Sequence, residues 1–316
     1  MDIYKLFAGR PWAITFEALE SMIEMAPLRA ARAASFGSDS PDEPPRTENG
    51  GVGVIPVRGT IAHHADMWSW LFGETTVDSL EKSLRQFAND PAIKSIVLDI
   101  DSPGGSASGM TELAGTIRNL RSKKAIVAVA NGTAASAAFS IGASASAFYA
   151  SPSSLVGSVG VYALHMDYSE AMAKEGIKPS FVQAGKFKTE GNPYEPLEDE
   201  ARAHMQHIVD DTYASFVSDV ALGRGVPKAK VLKDFGSGRV VTAREAKAAG
   251  MVNDVKTLDW VIERARSMRP SAPGEAGPVE DAPELDLQAN DDEGLELLAR
   301  LRWRQQEALA ATIGGR

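Results

Sequence analysis

The sequence predicts an α/β protein built on a mostly parallel sheet with both faces covered. Three observations predict it. Short, nearly unbroken apolar runs at 54–57, 95–100 (SIVLDI) and 125–130 (AIVAVA) have the pattern of strands buried on both sides. They alternate with segments of helical period: 76–88, with Val77, Leu80, Leu84 and Phe87 on one face, and 107–120. Glycine-containing turns follow the strands, at Arg58-Gly59, at 101–105 (DSPGG) and at Asn131-Gly132.

Composition bounds the function. The chain of 316 residues is long enough for a sizeable core. A net charge of −9 gives nucleic-acid binding no electrostatic support. With no cysteine, disulfides, thiolate metal sites and a cysteine nucleophile are excluded. No apolar run approaches the roughly 20 residues that span a bilayer. The N-terminus lacks a basic segment followed by an apolar one, so the expected location is the cytoplasm.

The elements justify themselves in order. Residues 1–34 read as a helical arm, with Phe16, Leu19, Met22, Ile23 and Met25 near helical spacing. A linker rich in Ser, Pro and acids covers 35–51, and the core runs from 52 to 268. His63 and His64 lie in a loop with Trp68, Trp70, Leu71 and Phe72. Their only close carboxylate is Asp66, so the loop reads as apolar and mobile, with no metal or cofactor expected. Thr76 is the expected N-cap of its helix. A small-residue stretch at 131–161 reads as a turn, a helix and a Gly-broken strand pair; 168–175 reads as a short helix and 178–184 as a strand. A loop, GKFKTEGNPYEPL, precedes a long helix at 198–223, whose buried stripe is Ile208, Tyr213, Phe216, Val217 and Val220. Helices at 228–234 and 243–249, a strand at 251–255 and a helix to 268 complete the core. Residues 269–294 are expected to be a disordered acidic linker: from Pro270 to Gly294 there are four prolines, many acids and no Lys or Arg. Residues 295–316 could form an amphipathic helix recognised by a partner.

Ser136 sits where strand 125–130 and its turn run into a helix. There, free N–H groups favour developing negative charge. The same serine also reads as an ordinary N-cap. The paired glycines Gly104 and Gly105 allow a ligand close approach to backbone, and their N–H groups could stabilise an oxyanion. A serine nucleophile needs a base. None of His63, His64, His165, His204 and His207 has a distinctive neighbourhood. A lysine can serve once a dry site lowers its pKa, from about 10.4 to near 7, at a cost of about 4 kcal/mol. Lys186 and Lys188 are the candidates.

The order SPGG, AAS, GSVGV, GKFK…NPYEPL and YxxFxxxVAxGRG resembles the SppA-type serine peptidases, which include signal-peptide peptidase A and the prohead proteases of tailed bacteriophages. The resemblance spans about Val52 to Ile262. It implies a ClpP/crotonase-like spiral of β-α units and a Ser-Lys dyad: Ser136 as nucleophile, Lys188 as general base, Ser158 orienting that base. Gly104 or Gly105, with the Ala137 N–H, would form the oxyanion hole. It also implies a homo-oligomeric ring with active sites at subunit contacts. Ala137-Ala138 replaces the two glycines usual in cellular members, which narrows the site. A prohead protease is favoured, acting on scaffold, portal or other capsid proteins and on its own tail, in host cytoplasm or prohead. A cellular SppA-like peptidase is the alternative. A crotonase-like acyl-CoA enzyme would not need Ser136 or Lys188, and a non-catalytic scaffold would not keep them.

Overall fold

The computed structural model describes residues 8–25, 44–48, 50–65 and 75–271. The arm before residue 8, Asp66, the aromatic part of the His63 loop and both segments after 271 lie outside the described residues.

The main sheet has parallel strands β3 (Val52–Arg58), β6 (Ser95–Ser102), β8 (Ala125–Ala135) and β10 (Leu155–Gly157) at its centre. Antiparallel edge strands β2 (Arg46–Glu48) and β12 (Val240–Thr242) flank them. Helices cover its faces. Helix α2 (Val77–Asn89) is capped by Thr76 in a capping box and buries Val77, Leu80, Leu84 and Phe87, as its period predicts. Helix α3 (Met110–Leu120) follows the second strand-turn. This is an α/β fold with a mostly parallel main sheet.

Four local differences have physical reasons. Strand β8 does not stop at Asn131; it runs on to Ala135. A register shift between Ile100 and Ser102 absorbs the Gly132 kink, and Thr133 N–H donates to Asp101 Oδ1 at 2.8 Å. The small-residue stretch after Ser136 is a helix, α4 (Ala137–Ala143), of only 7 residues; it gives way to β9 (Ala147–Ala150), which pairs with Val127–Ala130. Residues 178–184 form no strand. Val182 is fully exposed, and among the described residues no neighbour strand offers its backbone partners. In the long helix α6 (Asp199–Arg224), Phe216, Val217 and Val220 are buried and Tyr213 is half-buried. Ile208 is exposed, because the N-terminal half projects beyond the core.

The expected arm is also more than an appendage. Pro11–Ile14 is a strand, β1, followed by helix α1 over 16–25. In a second sheet, β1 lies between β11 (Tyr162–Ala163) and β7 (Gly104–Ser106), antiparallel to both; β4 (Ile61–Ala62) and β5 (Thr75–Thr76) continue that sheet. Leu19, Met22 and Ile23 pack with Trp12 and Ile14, while Phe16 and Met25 face outward. Arg46–Glu48, in the expected linker, pairs with β3.

Candidate active site

The site is assembled from three strand ends. Ser136 stands between the last residue of β8 and the first of α4, at φ 56° and ψ −118°. A non-glycine residue there is strained, and such strain clusters at functional positions. Two contacts hold it. Its N–H donates to the Gly157 carbonyl at 2.7 Å, and its carbonyl accepts from Ser140 N–H at 3.1 Å. The hydroxyl faces the Gly160 carbonyl at 3.5 Å, at the long limit of a hydrogen bond. The residue is fully buried.

The SPGG turn arrives from β6. Gly104 has φ +101°, and a methyl there would lie 3.0 Å from the Ser136 Cβ and 2.2 Å from the Ala13 carbonyl oxygen. Only glycine lets this backbone sit against the serine. The Ser102 hydroxyl accepts from Gly104 N–H at 3.2 Å, while Gly105 lies opposite Ala13 in the ladder between β7 and β1. The first N–H groups of α4, beginning with Ala137, have no partner inside the helix. Ala137 and Ala138 are both buried in the main core, so their methyls are packing groups.

Ser158 follows from β10, which pairs with β8 in the register Gly157↔Ala135. It too has positive φ, 52°, and its N–H donates to the Arg239 carbonyl at 2.8 Å. Ser158, Gly160 and Tyr162 line an open cavity of about 490 Å³, also bordered by Ile14, Phe16 and α6. Burial and the nearby Glu17 push the Tyr162 phenol up to about 12.

The structure brings Ser136, Ser158, Gly104, Gly105 and Ala137 together. It does not bring Lys188 to them within one chain. Lys188 is exposed, its backbone N–H turns back to the Gly185 carbonyl, and its ammonium has no partner among the described residues. Lys186 is engaged elsewhere: its Nζ lies 3.0 and 3.1 Å from the Glu200 carboxylate and 4.4 Å from the Phe187 ring centre. No histidine bonds to Ser136. His63 meets Ser108, His64 meets Asp78, and His165 meets the Asn192 carbonyl. Sequence reading missed Trp12, Ala13 and Ile14, which border the site; the apolar run PWAI ahead of a helix was the available signal.

Fold and site define a class: a Clp-type α/β protein with a strained serine on a strand-to-helix corner beside a glycine turn. Residues 73–155 match the family model described as Clp protease, and residues 118–270 match Peptidase family S49. The resemblance to the SppA-type peptidases thus has a family-model match behind it over residues 118–270. The head-tail preconnector protein GP5 of Enterobacteria phage P21 is 29% identical over 84% of this chain and 52% of its own length. Capsid assembly protease C of Escherichia phage lambda is 31% identical over 65% of this chain and 46% of its own. The chloroplastic serine protease SPPA of Arabidopsis thaliana is 25% identical over 68% of this chain and 32% of its own. The chain therefore spans about half the length of the phage relatives it matches.

Proposed function

We propose that this chain is a serine endopeptidase in which Ser136 attacks the peptide carbonyl and Lys188 is the general base. The carrying observation is Ser136 itself, held at φ 56° beside Gly104. Attack places negative charge on the carbonyl oxygen, and the Gly105 and Ala137 N–H groups are the donors assigned to it. Ser158 is assigned to orient the lysine amine.

Lys188 can act only if its amine is dry. In the isolated chain it is exposed, and so are its apolar neighbours Ile177, Phe181, Val182 and Phe187. A second copy covering this stretch would bury those side chains and desolvate the amine together. The base therefore belongs to a site completed in a homo-oligomeric ring.

The phage relatives are named for head-tail connection and capsid assembly. On that support, capsid maturation is the assigned role: cutting scaffold or portal-associated proteins, and the chain's own C-terminal tail, in the host cytoplasm or prohead. No helix among the described residues is long and apolar enough to cross a membrane. Co-expression with scaffold protein, followed by mass spectrometry, tests the assignment. Wild type should trim the scaffold and Ser136→Ala should leave it whole; equal masses would refute it.

A further inference from the structure

We propose that the substrate cleft is occupied by the protein's own N-terminal strand, Pro11–Ile14, which substrate must displace. This rests on the serine-peptidase reading above. A peptidase of this geometry needs a slot in which an extended peptide passes the nucleophile and pairs its backbone with the protein. The second sheet contains one such slot, one strand wide. Strands β7 and β11 do not pair with each other; β1 fills the gap, antiparallel to both. One wall, β7, is the glycine turn assigned to the oxyanion. The other, β11, follows directly on the Ser158–Gly160 turn that faces the Ser136 hydroxyl.

The register puts one peptide unit at the reactive point. Ile14 pairs with Gly104, Ala13 with Gly105 and Trp12 with Ser106. Thr15 N–H donates to the Pro103 carbonyl at 3.1 Å. Hydrogen-bonded pairs alternate along an antiparallel ladder, so Ala13 and Gly105 are the next bonded pair, and the Ala13 carbonyl takes the Gly105 N–H. The missing side chain of Gly104 marks one point that both the Ala13 carbonyl oxygen and the Ser136 Cβ approach. The Ala13 carbonyl thus stands where a scissile carbonyl would stand. Ala13 and Ser136 are both fully buried, so with β1 in place a second peptide has no path to the hydroxyl.

The strand is built to leave. Of its residues only Ala13 joins the main core. Trp12 and Ile14 belong with Leu19, Met22 and Ile23 to a separate small cluster, which can detach as a unit. Its seat is also imperfect: the Tyr162 hydroxyl is buried with no hydrogen-bond partner. A substrate taking its place would be extended, antiparallel to both walls, and small at the position of Ala13.

The rate at which a fluorophosphonate labels Ser136 in the full chain tests this. Ala13→Pro removes a ladder N–H and should speed labelling roughly five- to tenfold. A synthetic peptide of residues 8–17 should slow the variant again. Leu84→Ala, which loosens the core far from the cleft, should not speed labelling. Labelling of Ala13→Pro no faster than wild type would make β1 a fixed wall and overturn the proposal. If Ala13→Pro does not fold, hydrogen exchange on wild type decides: residues 11–15 should lose protection once Ser136 carries the label, and unchanged protection overturns it. If Ser136 labels in no variant, the peptidase reading fails and this proposal falls with it.

Discussion

The Ser136 N–H donates to the Gly157 carbonyl at 2.7 Å, and this bond ties two strained turns together. The residue after Gly157 is Ser158, and both serines have positive φ. Neither turn is relaxed alone; each is held by the other's strand end. Left-handed or related conformations cost a non-glycine residue about 1–3 kcal/mol. Ser136→Gly should therefore be more stable than Ser136→Ala, by about 1 kcal/mol after glycine's greater unfolded-state freedom is deducted. Both should be inactive. Denaturant unfolding checks this; equal midpoints would mean the corner stores no strain.

Gly104 faces the opposite test. At φ +101°, with backbone oxygen 2.2 Å from any added methyl, Gly104→Ala has nowhere to relax. It should cost about 2–4 kcal/mol and lower turnover by more than its stability loss explains. A variant with wild-type stability and kcat would separate this turn from the nucleophile.

If Lys188 serves a neighbouring subunit, two dead proteins can make a live one. Ser136→Ala and Lys188→Ala should each lack peptidase activity while keeping the oligomer. Mixed in equal amounts and reassembled, they should regain about a quarter of wild-type activity, the share of sites that pair an intact serine with an intact lysine across a head-to-tail interface. No recovery on verified mixing would place the dyad within one chain. Ser158→Ala should slow turnover less than either; an unchanged rate would remove it from the mechanism.

Asp219 predicts a pH effect away from the site. It is buried on α6, 2.8 Å from Arg118, and joins that helix to α3. Burial raises its pKa, and the hydrogen bond from Thr111 and the attraction of Arg118 only partly offset this. Above its unfolded value, near 3.9, the folded state holds the proton longer than the unfolded chain does. Stability is therefore greatest below that value and falls as pH rises through the window up to the folded pKa. Asp219→Asn should flatten the thermal midpoint across this range; a profile parallel to wild type would contradict it.

Much of this was legible in the sequence because burial writes directly into pattern. The runs SIVLDI and AIVAVA gave β6 and β8, and Thr76 with its stripe gave α2. Ser136 and the glycine pair were legible locally, as a serine on a strand-to-helix corner and a paired-glycine turn, whereas Ser158 was singled out only through the family resemblance. What escaped was set by long-range pairing. The continuation of β8 to Ala135 depends on β10 and on Asp101, many residues away. The strand character of PWAI depends on two partners, β7 and β11, that no local period reveals. Residues 178–184 have strand composition without a strand partner, and they stay irregular. Lys188 is different: within the single chain it is exposed and its ammonium has no partner among the described residues, so no local packing marks a role for it.

The most direct measurement is the mass of the oligomer after treatment with a fluorophosphonate, with the adduct located by peptide mapping. One adduct per chain, on Ser136, abolished by Ser136→Ala and slowed strongly by Lys188→Ala, is the predicted result. An adduct on another residue, or a Lys188→Ala protein that labels at the wild-type rate, would contradict it.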